Sequence, residues 1–404
     1  MPDESTRRVA RGPLIANLLA QLAFGLLAMT ICIPSMQEWG AIFGAGQADV
    51  QLTFSGYVVA YGGLQLIYGP LSDRFGRKIV LMFGLALAGL GSVLAALAPD
   101  LATLTAARVL QGAGAAAGMV VGRALVQDHF EGTERARIMA YVGMAMGLCP
   151  PLATVVGGQL HVLIGWQANF VVIAVLAAIL LLAAWRGLPD PPRARAADER
   201  RHWLGAMASS YASLAREPAF LLYVAILAMT TATFYAFMAG APVVLGSYGV
   251  GPERVGYFIM CIPFAYIVGN YLTSRLVHRR GERTMMRLGQ FFTLGGLALM
   301  LSLGLAGVNT AFAFALPLIL LGIGHGMLMP PTLAGTVGLV PALAGSAVAV
   351  AGVMQQLLGA VAGYAVGLVP HEGAVNLGFV MIGFALCSAG AQAVLHRGGA
   401  ASRQ

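Results

Sequence analysis

The sequence predicts an all-α polytopic membrane protein, with twelve transmembrane helices in two six-helix bundles. Three observations predict it. Hydrophobic residues make up 58% of the 404 residues and charged residues only 10%, where soluble domains carry about 25% charged residues. So few charges cannot cover a surface facing water, and lipid must be the solvent for most of the chain. Apolar runs recur in two sets of six, and 21 of the 24 basic residues fall in the tails and alternate connecting segments.

The first six apolar runs fall near 13–36, 50–72, 78–98, 101–124, 138–160 and 166–187. The second six fall near 218–246, 254–276, 286–306, 310–334, 343–368 and 374–395. Each approaches the length of about 20 residues that one apolar span needs. Twelve spans of about 22 residues use roughly 264, which leaves about 140 for loops and tails. Arg7, Arg8 and Arg11 precede the first run, Pro13 to Met36, which is too long for a signal-peptide core and reads as an uncleaved span. The gap between the two sets holds Pro191, Pro192, Arg193, Arg195, Arg200 and Arg201. It reads as a cytoplasmic linker at 188–217 with a surface helix near Trp203–Leu214. The expected organisation is a bundle at 1–187, this linker, and a second bundle at 218–404.

The net charge of +8 invites a nucleic-acid reading, and its distribution excludes it. With the amino terminus placed in the cytoplasm, 21 of the 24 basic residues fall on the inner side and one, Arg254, on the outer. Arg108 and Arg123 lie within a span. Basic residues mark cytoplasmic loops, so both termini are expected there. The four cysteines, Cys32, Cys149, Cys261 and Cys387, are scattered singly through apolar segments and suit neither a metal site nor a disulfide framework. No Gly-x-x-x-x-Gly-Lys-Ser/Thr run and no nucleophile–base cluster appears, so neither a nucleotide cofactor nor an enzyme is expected.

The halves echo each other. Gly112 and Gly114 in span 4 match Gly322 and Gly324 in span 10 at an offset of 210, and Arg74–Lys78 has a degraded echo in Arg279–Arg283 at an offset of 205. Duplicated halves of this kind suggest a transporter with its cargo site near the midplane between them.

Between spans 2 and 3 the chain reads Gly69-Pro70-Leu71-Ser72-Asp73-Arg74-Phe75-Gly76-Arg77-Lys78. Gly69 permits close helix approach, Gly76 permits a tight turn, and Asp73 suits the amino-terminal end of a helix. In letters and position this loop resembles the signature loop of the major facilitator superfamily. The resemblance implies a conformational gate of Gly69, Asp73, Gly76 and Arg77, with Asp128 at the end of span 4 as the partner of Arg77. It also sets Asp73 against the start of span 11, near Gly345-Ser346.

In span 4, Leu104, Arg108, Gln111, Gly112, Gly114, Ala115 and Ala116 resemble a second motif of the superfamily, which implies a role for Arg108 in cargo binding or proton coupling. An arginine inside a span faces protein or a watery cavity, and pairing with backbone carbonyls is the structural alternative. Gly143, Gly147, Pro150, Pro151, Gly157 and Gly158 in span 5 partly resemble the antiporter motif, here represented by Gly147, Pro150, Gly157 and Gly158. The whole chain best resembles the bicyclomycin- and chloramphenicol-resistance family of drug efflux proteins, through Val50-Gln51-Leu52-Thr53, the loop from Gly69, Arg108 to Arg123 with Asp128, and span 11 from Ala344 through Gln355-Gln356 to Ala360.

That family carries an aspartate in span 1 where this chain has Thr30. All 16 acids fall in loops or near span ends. The candidates for proton coupling are therefore His325, deep in span 10 and able to titrate near neutrality, with Glu38 and Asp49 near the outer mouth. Cargo-binding candidates come from helical spacing. Tyr57, Tyr61, Gln65 and Tyr68 share one face of span 2. Gln21 in span 1, Arg108 and Gln111 in span 4, Tyr235 in span 7 and Gln355 in span 11 complete the set. A deep arginine without a midplane acid favours neutral or anionic cargo.

The resemblance implies a secondary efflux transporter that exports small amphipathic drugs or metabolites by alternating access, as a proton-coupled antiporter. An uncoupled facilitator or metabolite exchanger of the same fold is the other reading. The expected partners are a small-molecule substrate, protons and membrane lipid, with a monomer as the functional unit in the cell inner membrane.

Overall fold

The computed structural model describes residues 4–188, 203–340, 343–370 and 373–401, and these are helical with no strand among them. The prolines and arginines expected in the linker, at 191–201, lie outside the described residues. The chain divides into two compact units, Met1–Ala45 with Leu52–Ala194, and Gly46–Gln51 with Arg195–Gln404.

The first unit contains α1 (Glu4–Thr30), a 3-10 turn (Ile33–Ser35), α2 (Met36–Phe43), most of α3 (Gln47–Phe75), α4 (Arg77–Ala96), α5 (Leu101–His129), α6 (Gly132–Leu163) and α7 (Gln167–Gly187). The second contains α8 (Trp203–Ala215), α9 (Pro218–Ser247), α10 (Pro252–Ile259), α11 (Cys261–Arg280), α12 (Glu282–Leu305), α13 (Ala311–Ala315), α14 (Leu318–Gly338), α15 (Ala344–Gly367) and α16 (Ala374–Ala401). Among the described residues, 11 helical segments are long and apolar enough to cross a membrane. The twelfth expected span is α3. Its 29 residues extend about 43 Å at 1.5 Å per residue, enough for a hydrocarbon core of about 30 Å. It falls short only in apolarity, because it carries the stripe of Tyr57, Tyr61, Gln65 and Tyr68. Exposed Phe83, Val171, Phe291 and Phe312 give the units apolar outer faces suited to lipid.

Helix ends follow from local chemistry. Asp100 caps α5 by accepting from the backbone N–H of Thr103 at 2.7 Å, and that backbone hydrogen bond holds its carboxyl below the usual range. The cap is therefore kept at neutral pH and lost only as strong acid protonates it. Gly76, at φ 101°, and Gly281, at φ 76°, occupy conformations open to glycine and begin α4 and α12. These two turns stand 205 residues apart, the offset of the sequence echo.

The duplication extends to the packing. A Cβ on Gly112 would strike the Tyr57 carbonyl of α3, and one on Gly322 would strike the Ile262 carbonyl of α11. A Cβ on Gly114 would overlap Gly84 and Ala88 of α4, and one on Gly324 would overlap Gly289 and Thr293 of α12. Each unit thus runs one central helix against two neighbours through small residues. Lipid tails supply no hydrophobic drive between helices, so close backbone approach is what binds them. The expected surface helix, α8, does more than lie on the surface. Its Leu214 is buried with Phe220, Val224, Leu227, Ala347 and Ala351.

Gly114→Ala should force the α4 backbone away and cost about 1–3 kcal/mol, lowering the thermal-unfolding midpoint of the purified chain. Gly352→Ala, where a Cβ meets nothing within 4 Å, should leave the midpoint unchanged. Equal midpoints for both variants would contradict the seam.

Candidate functional site: the polar interior of the first unit

The first unit's polar interior begins where α1 stops. α1 ends at Thr30 and gives way to the 3-10 turn Ile33–Ser35, where Pro34 lacks the N–H that would have served the Thr30 carbonyl. The last carbonyls of α1 then need other donors. Arg108 supplies them: Nη1 donates to Ala28 O at 2.8 Å and Nη2 to Met29 O at 3.3 Å. A cation at a helix carboxyl end is also favoured by about 0.3–2 kcal/mol. Nη1 reaches Gln111 Oε1 through a short hydrogen bond, Gln111 Nε2 donates to Ser92 Oγ at 2.8 Å, and Ser92 donates to Ala88 O at 2.7 Å. The network ties α1, α5 and α4 together. Arg108 is 1% exposed, and its guanidinium has the Tyr57 ring of α3 at 4.3 Å and the Phe170 ring of α7 at 5.9 Å.

Tyr57 donates to Gly25 O at 2.7 Å and stacks on Tyr61 at 5.9 Å, while Gln65 is half-buried further along α3. Gln21 is fully buried and donates to Asn17 Oδ1 and Leu180 O, both at 3.1 Å, which joins α1 to α7. The structure therefore brings Tyr57, Tyr61, Arg108 and Gln111 together. Gln111 spends its amide on helix–helix bonds, whereas the buried Gln21 Oε1 has no hydrogen-bond partner among the described residues.

At the end of the unit where α1 breaks, Glu38 Oε2 lies 2.9 Å from His161 Nε2, with side-chain exposures of 48% and 8%. His161 Nδ1 lies 3.0 Å from Ser35 Oγ, which also accepts from Asn169 Nδ2 at 3.0 Å. Trp39 packs against Trp166 and Phe170 at 6.0 and 6.2 Å beside this cluster. Thr30, at the position of the family's aspartate, is buried and returns its hydroxyl to Leu26 O at 2.8 Å. Asp49 is exposed in the first turn of α3, where the helix dipole favours negative charge.

At the opposite end of α3, Arg77 gathers the loop. Nε donates to Asp128 Oδ2 at 3.1 Å, Nη1 donates to Ser72 Oγ at 2.7 Å, and Nη1 pairs with Asp73. Asp73 is 63% exposed. A Cβ on Gly69 would meet only Val120, at 3.8 Å.

In α6, a Cβ on Gly147 would meet nothing within 4 Å, whereas one on Gly157 would collide with the Ile31 carbonyl. Gly158 is buried, and Pro150 is half-buried inside the helix. In the second unit, Tyr235 donates to Gln356 Oε1 at 2.8 Å, with its ring against Gly359. Gln355 is half-buried beside that pair. His325 is 5% exposed between Gly324 and Gly326, and its buried Nε2 has no hydrogen-bond partner among the described residues.

Sequence reasoning missed His161, Ser35, Asn169, Ser92 and Ser72. The i, i+4 spacing of Gly157 and His161 was the available signal for the first: a glycine that admits a neighbouring backbone sets the residue one turn on against that neighbour.

Two units of this construction, with duplicated glycine seams and a buried charged network, define a polytopic membrane transporter. The profile of the Major Facilitator Superfamily matches residues 14–363, and the chain belongs to that family. It is 30% identical to "Multidrug resistance protein D" of Escherichia coli strain K12, covering 91% of this chain and 92% of that one. It is 27% identical to a "Chloramphenicol resistance protein" of Pseudomonas aeruginosa, covering 78% and 74%. It is 28% identical to a "Bicyclomycin resistance protein homolog" of Haemophilus influenzae, covering 66% and 68%. Among solved structures, a D-xylose–proton symporter shares the fold at TM-score 0.73 and 15% identity, covering 95% of this chain and 97% of that one. An inward-facing bacterial homolog of the human lysosomal transporter Spinster shares it at TM-score 0.73 and 14% identity, covering 96% of each.

Arg77 serves three acceptors, and each surface pair alone is worth about 0–1 kcal/mol. Arg77→Ala should therefore lower the unfolding midpoint more than Asp73→Asn or Asp128→Asn does. A midpoint for Arg77→Ala no lower than those of the single carboxamides would show that the cluster does not act as a unit.

Proposed function

We propose that this chain is a secondary efflux transporter that exports a small amphipathic drug or metabolite by alternating access, in exchange for protons. It works as a monomer in the cell inner membrane, with both termini on the cytoplasmic side, where 21 of its 24 basic residues then lie.

The observation that carries the reading is the polar face of α3. A spanning helix with this many polar groups is stable only where protein or a watery cavity meets it. Tyr57 and Tyr61 are buried here and Gln65 is half-buried; uncovered during the cycle, their amphipathic surface and hydrogen-bonding tips suit bulky and loosely held ligands. Three relatives are named for resistance to drugs, chloramphenicol or bicyclomycin, which supports a cargo of that class. Arg108 gives the interior a positive potential and no acid lies at mid-span, so neutral or anionic cargo is preferred over cations. In this reading Arg108 and Gln111 position α1 and the Tyr57 ring, while Tyr235 and Gln355 present the second unit's polar surface to cargo. The loop Gly69, Asp73, Gly76 and Arg77, with Asp128, is the gate that releases and remakes its contacts during the cycle. Gly147, Pro150, Gly157 and Gly158 let α6 bend and pack.

Of the three coupling candidates, Glu38 alone has a titratable side chain in hydrogen-bond contact among the described residues, which supports it over Asp49 and His325. Everted membrane vesicles carrying the chain should accumulate radiolabelled chloramphenicol several-fold when their lumen is acidified, and a protonophore should collapse the accumulation. Equal accumulation with and without the gradient would favour the uncoupled facilitator. Efflux of quaternary cations without efflux of any neutral or anionic drug would overturn the cargo preference.

A further inference from the structure

The cluster at the end of α1 contains a second titratable group that neither the family pattern nor the acid census points to. We propose that His161 and Glu38 together form the proton-binding site of this transporter, with Ser35 and Asn169 as the groups that sense its protonation. The inference rests on the proton-exchange reading above and names the site that reading requires.

Geometry supplies the argument. Gly157 and His161 stand one turn apart on α6, and Ile31 and Ser35 stand four residues apart where α1 gives way to the 3-10 turn. A Cβ on Gly157 would collide with the Ile31 carbonyl. The bare glycine lets the two backbones close, and one turn further on His161 Nδ1 reaches Ser35 Oγ at 3.0 Å. On its other side the ring faces Glu38 of α2 at 2.9 Å. Glu38 is half-exposed and His161 is buried, so the carboxylate meets solvent and the imidazole lies behind it. Glu38 is the base that solvent reaches, and the imidazole behind it is a second base in hydrogen-bond contact with it.

The hydrogen bonds are self-consistent in two protonation states. With Glu38 ionised and His161 neutral, Nε2–H donates to Glu38, and the Ser35 hydroxyl donates to the bare Nδ1. Ser35 then accepts from Asn169 Nδ2, at 3.0 Å, and the pair carries one negative charge. One added proton makes the pair neutral. It protonates Nδ1, which now donates to Ser35 Oγ, and the hydroxyl hydrogen must find a new acceptor. The buried Asn169 Oδ1 has no hydrogen-bond partner among the described residues, and rotation of the amide presents it to Ser35. Proton uptake thus rewrites the bonds joining α6, the end of α1, and α7, and release restores them.

Other charges near the site are few. On α2 and the end of α1, residues 29–48 contain no charged side chain besides Glu38, and residues 155–175 of α6 and α7 contain no titratable group besides His161. From α5, Arg108 lies with its guanidinium 5.9 Å from the centroid of the Phe170 ring of α7. On the segments that build it, the site's charge is therefore set by this pair.

The test uses the full chain in proteoliposomes with radiolabelled chloramphenicol as the probe. Two fluxes are measured: accumulation driven by a pH gradient, and exchange of labelled for unlabelled drug at equal pH. His161→Gln keeps a donor toward Glu38 but does not titrate, and Glu38→Gln removes the carboxylate charge. Each should lose at least tenfold of the gradient-driven accumulation while exchange stays within about twofold of wild type. Ser35→Ala, which removes neither titratable group, should keep gradient-driven accumulation but shift its pH profile. Retained accumulation in His161→Gln overturns the proposal, as does loss of both fluxes together in His161→Gln and Ser35→Ala, which would mark a structural cluster. If the wild-type chain exchanges drug but shows no response to the gradient, the proton-exchange reading itself fails; coupling kept in both wild type and His161→Gln sinks only this site.

Discussion

Everything in the first unit depends on how the freed carbonyls of α1 are satisfied. A spanning helix normally closes its own hydrogen bonds, and an unpaired backbone group in lipid costs several kcal/mol. α1 stops at Thr30, and Arg108 meets the carbonyls of Ala28 and Met29 in its last turn. A cation that would be expensive alone becomes the cap of a helix. Because Arg108 holds Gln111 and faces Tyr57 and Phe170, the break in α1 is also where α3, α4 and α7 take their positions.

The break has a second consequence. It turns the chain into the 3-10 segment and sets Ser35 and Glu38 against α6, where Gly157 has removed the side chain that would keep the helices apart. Arg108 and the Glu38–His161 pair are thus two outcomes of one local event. One end of the junction holds a permanent charge on backbone dipoles, and the other holds a charge that a proton can cancel. The second unit repeats the glycine scaffold at Gly322 and Gly324 without repeating the arginine: its central helix carries His325 among the glycines instead. The scaffold is duplicated and the chemistry is not, which assigns the charged machinery described here to the first unit.

The membrane fold was legible because it rests on composition and period. Spans, their order and the glycine echoes all follow from apolar run length and from residues that must be small. The Gly69–Lys78 motif was legible as letters, yet its hub was not: Arg77 collects Ser72 as well as Asp73 and Asp128, and a single serine near a helix end carries no periodic signal. Arg108 could be found as a charge inside a span, but its acceptors are main-chain atoms, which no side-chain pattern encodes. Gln355 was chosen where its neighbour Gln356 makes the bond to Tyr235, because adjacent residues on a helix differ by about 100° of rotation and a polar pair does not say which turns inward. His161 went unnoticed for its place at a span end. Its partner Glu38 is 123 residues away, and only the approach of α6 to α1 joins them.

The central claim is that Arg108 caps α1 and holds the junction that follows. Hydrogen–deuterium exchange of the full chain in lipid nanodiscs, comparing wild type with Arg108→Lys, tests it most directly. Lysine keeps the charge but loses the planar fork that serves two carbonyls and a glutamine at once. The account predicts that amides in residues 27–36 exchange at least tenfold faster in Arg108→Lys, a loss of about 1.4 kcal/mol in local protection, while amides of α9 to α16 stay at wild-type rates. Unchanged exchange across 27–36 would contradict it.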